Sequence, residues 1–144
     1  MNGLGSLRVF MDALVGLERT IDPALSVSRW RPTKIDPPAI YNLLNPSPAD
    51  IPAIGIVHDR LMIGIRIIIA ASDLDEMTST IEGYYDRARD VIDGDLIEPS
   101  RSVLAAAAHE TRRTTTRSTT DTFNDIAYLG IELVLQADLR RRFV

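Results

Sequence analysis

The chain contains no cysteine. Disulfides, thiolate nucleophiles and cysteine metal ligands are therefore excluded, and nothing points to an oxidising compartment. Histidine is scarce: His58 and His109 lie far apart in sequence, in what read as a turn and a polar stretch. Both read as surface residues rather than general bases. Lysine is nearly absent, with Lys34 the sole lysine among sixteen basic residues. Arginine forms planar, bidentate, partly desolvated pairs more readily than lysine. That favours protein–protein contact, although a bias towards arginine codons accounts for it equally well. Long apolar runs are missing too. Leu61 to Ala71 is interrupted by Arg66 and is far too short to cross a bilayer. No basic start, apolar stretch and cleavage site mark a signal peptide, so the expectation is a soluble, intracellular product without a membrane partner.

Catalytic signatures are equally lacking. No G-x-S-x-G surrounds any serine, and there is neither a P-loop nor G-x-G-x-x-G. The acids of "DGDLIE" (Asp93, Asp95, Glu98) resemble part of a calcium loop but lack its order and distal glutamate. A solvated helix end accounts for them better. The reading is of a protein that is not an enzyme and holds no cofactor and no metal.

What is present suits one domain, residues 1–144. At 144 residues, 45% of them apolar, the chain can bury a single core. The net charge of −4 argues against a generic nucleic-acid binder. The charge is uneven, however. Nine acids between Asp73 and Glu98 face only Arg87 and Arg89, whereas Arg101 to Val144 holds seven arginines against five acids.

Hydrophobic period places the elements. Leu7, Phe10, Met11, Leu14, Leu17 and Ile21 recur at helical spacing across residues 4–21, and Asp22-Pro23 ends that helix. "ALSVSRWRP" reads as a short strand. "DPPAIYNLLNPSPADIP" holds five of eight prolines and reads as a rigid connection with an extended piece at Ile40 to Leu44. "AIGIVHDRLMIGIRIIIAAS" reads as strand, tight turn near His58-Asp59, and strand, with Leu61, Ile63, Ile65, Ile67 and Ile69 on one apolar face. Ser72 would cap a second helix whose first turn carries Asp73, Asp75 and Glu76. Its buried stripe would be Leu74, Met77, Ile81, Tyr84, Tyr85, Ala88, Val91 and Ile92, with a stop at Asp93-Gly94. "SRSVLAAAAHETRR" reads as a short helix on its alanines or as a strand, with helix favoured for its first part. The last strand puts Ala127, Leu129, Ile131, Leu133, Leu135, Ala137 and Leu139 on one side and Glu132 on the other. That other side would meet solvent or a partner.

Between these lies "ETRRTTTRSTTDTF". As a strand it would set Thr111, Arg113, Thr115, Arg117 and Thr119 on one face and Arg112, Thr114, Thr116, Ser118 and Thr120 on the other, both polar. Hydrophobic burial cannot fix the register of such a strand, so it belongs at an edge or on a projecting ribbon. It is either a solvated loop or a hairpin arm, of about residues 110–123, that orders against another chain. Its threonines suit the arm, because flexible linkers are richer in Gly and Ser. "FND" would supply the turn into the last strand. The fold expected is α+β: a mostly antiparallel sheet with two helices packed on one face and a protruding polar β-hairpin.

The order of these elements, with "RLMIGIRIIIAAS" and the closing "AYLGIELVL" of Ala127 to Leu135, resembles the tail terminator, or tail completion, proteins of long-tailed bacteriophages and the related neck proteins. The resemblance covers most of the chain in order, size and pattern, and brings no catalytic residues with it. It implies a virion structural protein, assembled in the host cytoplasm. Its copies form a hexameric ring on the tail tube, end the polymerisation of that tube and join tail to head. The partners implied are further copies of the chain, the tail tube protein and a head–tail connector or stopper protein. DNA passes through the lumen without specific binding. Subunit contacts are expected at Trp30, Arg66, Asp86, Asp90, Arg112, Arg113, Arg117, Glu132, Arg140 and Arg141. The three arginines of the Thr/Arg segment would meet acids of a neighbour or the tube. "LRRRFV", Leu139 to Val144, is a second arm or a frayed end. A head–tail connector or head-closure neck protein is the alternative within the class. A small α+β ligand-binding or regulatory dimer is the more distant one.

Overall fold

The computed structural model describes residues 6–46, 50–53, 56–70, 74–108 and 110–142. The fold is α+β, with three helices and a mostly antiparallel sheet. Helix α1 spans Leu7–Glu18. Ser6 caps it, its side chain accepting from the Val9 amide at 3.2 Å, which satisfies one of the donors a helix start leaves open. Phe10, Met11, Leu14 and Val15 are buried, as their spacing predicts. Strands β1 (Ser26–Val27) and β2 (Ala39–Pro46) pair in parallel. Strands β3 (Asp50–Ala53) and β4 (Ile56–Ile68) follow, then α2 (Leu74–Leu96) and α3 (Val103–Ala107). The chain closes with β5 (Glu110–Phe123) and β6 (Ile126–Arg142). The order across the sheet is β1-β2-β4-β6-β5, with β3 paired to β4 alone.

Several elements differ from their sequence reading. No turn breaks the chain at His58-Asp59. Both residues continue β4, opposite Arg140 and Leu139 of β6, because a long partner strand supplies ladder bonds to a polar pair that looks like a turn in isolation. Helix α2 does not stop at Asp93-Gly94. It runs on to Leu96, since a lone glycine costs a helix only about 1 kcal/mol. The short helix read in "SRSVLAAAAHETRR" forms as α3, a third helix beside the two of the expected fold. Ser102 caps it at 2.9 Å from the Ala105 amide, and Asp95 accepts from the Ser102 hydroxyl at 2.6 Å and from the Val103 and Leu104 amides. Of the acids in "DGDLIE", Asp95 thus serves the start of α3. β6 continues to Arg142, opposite Ile56, so most of "LRRRFV" is strand. Ser72, Asp73 and His109 lie outside the described residues.

One core cluster joins the inward residues of all three helices to Ile63, Ile65 and Ile67 of β4 and to Leu133, Leu135 and Ala137 of β6. These strand positions alternate as the sequence indicates, and they share the face that the helices cover. On the opposite face a smaller cluster forms at one end of the sheet, from Ala39, Tyr41, Ile68 and Phe123, with Ile35, Leu43 and Tyr128 against it.

The polar segment is the border strand. It pairs with β6 from Glu110↔Asp138 to Phe123↔Ile126. Asn124 and Asp125 make the turn, both with positive φ (51° and 65°), the left-handed pair that a two-residue hairpin requires. A bulge falls between Arg113 and Thr115. It reverses the alternation, so Thr111 and Arg113 stand opposite inward Ala137 and Leu135. Thr115 and Arg117 stand opposite Val134 and Glu132 on the other face. The single face expected for Thr111, Arg113, Thr115 and Arg117 is therefore split in two.

Candidate functional site

The face of the sheet away from the helices gathers Arg66, Arg112, Arg117 and Glu132, four of the charged residues singled out from sequence. Register does this. Tyr41 of β2 lies opposite Arg66 of β4, Arg66 opposite Glu132 of β6, and Glu132 opposite Arg117 of β5. One row of side chains therefore crosses four strands, at the close cross-strand spacing where such pairs interact. Glu132 lies between two arginines. Arg66 Nε donates to its Oε2 at 2.6 Å, and Arg117 donates to Oε1 through Nε at 2.9 Å and Nη2 at 2.6 Å. The Glu132 side chain is only 3% exposed, that of Arg117 65%. The carboxylate forms a floor and one arginine stands above it.

Gly64 makes room for that floor. A Cβ at this position would lie 2.8 Å from Glu132 Cδ, nearer than real side chains approach. The strand glycine is thus explained by close approach of a charged side chain rather than by a turn.

A second carboxylate extends the network towards the smaller cluster. Arg31 grips Asp121 through Nε at 3.1 Å and Nη2 at 3.0 Å, and also donates to the Thr122 carbonyl at 2.8 Å. The Tyr41 hydroxyl donates to Asp121 Oδ2, and Arg66 Nη1 lies 3.5 Å from the same oxygen. The Arg31 guanidinium also stacks 4.1 Å from the centre of the Phe123 ring, a favourable cation–π geometry. Partial burial alone would raise the Asp121 carboxyl. Hydrogen bonds from Arg31, Tyr41 and the Thr122 amide outweigh it and bring it down to about 2. Burial, and then the bond to Asp121, holds the Tyr41 phenol above its ordinary range.

Two shallow hollows open on this face. The larger, about 470 Å³, has Arg66, Arg117 and Glu132 beside Leu43, Met62, Gly64, Thr115 and Val134. The smaller, about 280 Å³, lies between Arg60, Glu110, Arg112, Gln136 and Asp138. Neither assembles a nucleophile with a base. No cluster of metal-ligating residues occurs among the described residues, and no described helix is long and apolar enough to cross a membrane.

The remaining residues of interest lie elsewhere. Arg113, turned to the helix side by the bulge, pairs with Asp93 of α2 at 2.7 and 2.9 Å. Arg112 donates to the Gln136 side chain at 3.0 Å. Arg113 and Arg117 therefore have acids within their own chain, where a neighbour's had been expected. Asp86 and Asp90 are exposed on α2, and both lie near Arg89 at 3.5 and 3.3 Å. Trp30 is 37% exposed, in the loop between β1 and β2. Arg140 and Arg141 continue β6, opposite His58 and Val57.

Sequence reasoning missed Tyr41, Asp121 and Arg31 as one unit, because they lie up to ninety positions apart. It also missed Glu18. This residue is fully buried on the helix side, where Asn42 Nδ2 donates to Oε1 at 2.9 Å. Glu18 Oε2 and Asn42 Oδ1 have no hydrogen-bond partner among the described residues. Burial pushes the Glu18 carboxyl up to about 8, against a smaller lowering by Asn42. The sequence matches no protein-family model and no curated protein.

Proposed function

We propose that this chain is a non-enzymatic virion protein, the tail terminator of a long-tailed bacteriophage. Copies of it form a ring that caps the tail tube and joins the tail to the head. The reading draws its family from the order of elements and from "AYLGIELVL". The observation that carries it physically is the border strand β5. That strand is 14 residues long and largely exposed, and no described strand pairs with its outer edge. The sheet's other border is the two-residue parallel strand β1. Two unlike borders suit a head-to-tail contact, in which different patches of one subunit meet, as they do in a closed ring.

In this reading the hairpin β5–β6 is the arm that meets the neighbour or the tube. Trp30, Asp86, Asp90, Arg112, Arg140 and Arg141 are candidates for those contacts. Arg66, Arg113 and Arg117 of the sheet are each paired with a carboxylate of the same chain, whereas holding a polyanion takes clustered free cations; that suits a lumen through which DNA slides.

Loss of the chain from the virus that encodes it is expected to leave tails of uncontrolled length, unjoined to filled heads. The purified chain, or the neck of the particle, is expected to display a closed ring by electron microscopy. Tails of normal length, joined to heads in its absence, would overturn the reading.

A further inference from the structure

All three helices cover one face of the sheet, and the smaller cluster covers only one end of the other. The uncovered remainder has an unusual layering of charge. The carboxylates bound to its arginines lie deep, the Glu132 side chain 3% exposed and that of Asp121 12%, whereas Glu110 is exposed. Its arginines lie on top: Arg117 is 65% exposed and Arg31 40%, and Arg112 is exposed as well. The outer layer is therefore more cationic than the net charge of the face, because a group in contact with it lies nearer the exposed charges than the buried ones.

The same chain carries the opposite surface. On α2, Glu82, Asp86 and Asp90 recur every four residues and are all exposed, so they form one acidic stripe. Ser79 is exposed in line with them. Arg89 is the nearest cation, and surface pairs of its kind contribute little.

We infer that the uncovered sheet face, from Thr115 and Arg117 to Arg112, receives the acidic stripe of α2 from a second copy of this chain. The inference rests on the ring reading and names the two surfaces that meet at each joint. The surfaces are different patches of one subunit, as a head-to-tail contact requires. Their charges set register and encounter rate more than affinity. The apolar body of the contact is supplied by Leu43, Met62 and Val134 around the 470 Å³ hollow. Duplex DNA is the less suitable occupant, because Glu110 is exposed on the same face and the chain's net charge is −4.

The absence of native cysteine makes the test clean. One preparation carries Ser79→Cys on the stripe, and a second carries Thr115→Cys on the sheet face. Mixed and mildly oxidised, they are expected to yield chiefly the S79C–T115C cross-link, which falls off as salt rises. Adding Arg117→Glu to the T115C chain should abolish the cross-link. Arg112→Glu should weaken it without disturbing the Glu132 floor. Adding Asp86→Arg and Asp90→Arg to the S79C chain should restore it.

Homodimers as the main product, or a cross-link indifferent to both arginine reversals, would overturn the docking face. Closed rings seen under either of those outcomes would leave the ring reading standing on another contact. Cross-linked open chains would keep the face and overturn the ring. A chain that stays monomeric and uncross-linked overturns both. Duplex DNA retained by the unmodified chain and released by R112E, with no cross-link, would assign the face to nucleic acid instead.

Discussion

Glu18 and Glu132 are both buried glutamates, yet they face opposite electrostatic problems. Glu132 has the guanidinium groups of both Arg66 and Arg117 against it. Glu18 has only the Asn42 amide, so the cheaper state is the protonated one. Its carboxyl rises from 4.5 to about 8 on folding. Between those values the folded chain holds a proton that the unfolded chain has released. This contribution to stability is full below pH 4.5 and is lost as pH rises towards 8, amounting to roughly 3 kcal/mol by pH 7. Glu18→Gln should flatten that slope and gain stability over the parent at pH 8, with little difference at pH 4.5, as read by denaturant unfolding at the two values. A parent chain equally stable at both would refute this account. Gly64→Ala places a methyl group against Glu132 Cδ and should cost about 1–3 kcal/mol. Unaltered unfolding would mean that Glu132 swings clear.

At the scale of elements, β5 before its apolar end at Phe123 is held by backbone and by ions rather than by apolar burial. Its hairpin turn is a residue choice that can be improved. Asp125 sits at φ 65°, where glycine is at ease and other residues strain. Asp125→Gly should stabilise by up to about 1 kcal/mol, and Asp125→Val should destabilise by about 1–2 kcal/mol, both read from the thermal midpoint. The bulge around Thr114 has a larger consequence. It directs Arg113 to Asp93 on α2 and leaves Arg117 with Glu132, so one strand ties the helix layer to the opposite face. Removing Thr111–Thr122 would strip β6 of its neighbour as well as deleting an arm. Exposed-residue reversals therefore test assembly more cleanly than deletion does.

For the whole molecule, Asp121 and Glu18 act on opposite sides of the pH scale. The Asp121 carboxyl is lowered from 3.8 to about 2. Its contribution is therefore full above pH 3.8 and is lost as pH falls through 2. Together the two groups move the pH of greatest stability to the acid side of neutrality. Asp121→Asn should remove the acid-side loss, and Glu18→Gln should shift the optimum upward. Thermal midpoints across pH 2–9 check both, and an optimum unmoved by E18Q would contradict the argument.

Local pattern alone determined a good deal. The 3.6-residue spacing in α1 and α2 and the alternation through Leu61–Ile69 and Ala127–Leu139 identified those elements and the face each buries, because burial period is a property of neighbours in sequence. Composition also kept Thr111 to Thr122 out of the core, leaving a solvated loop or a hairpin arm, and the pairing with β6 makes it a border strand. Tertiary structure decided the rest. Whether His58-Asp59 turns or continues depends on β6, eighty residues away. Which face Arg113 takes depends on a bulge that no local period reveals. Glu132 became a buried floor only because register sets Arg66 and Arg117 on either side of it. The candidate residues were thus visible singly, by charge in apolar surroundings, but their grouping was not, because cross-strand pairing is a long-range choice.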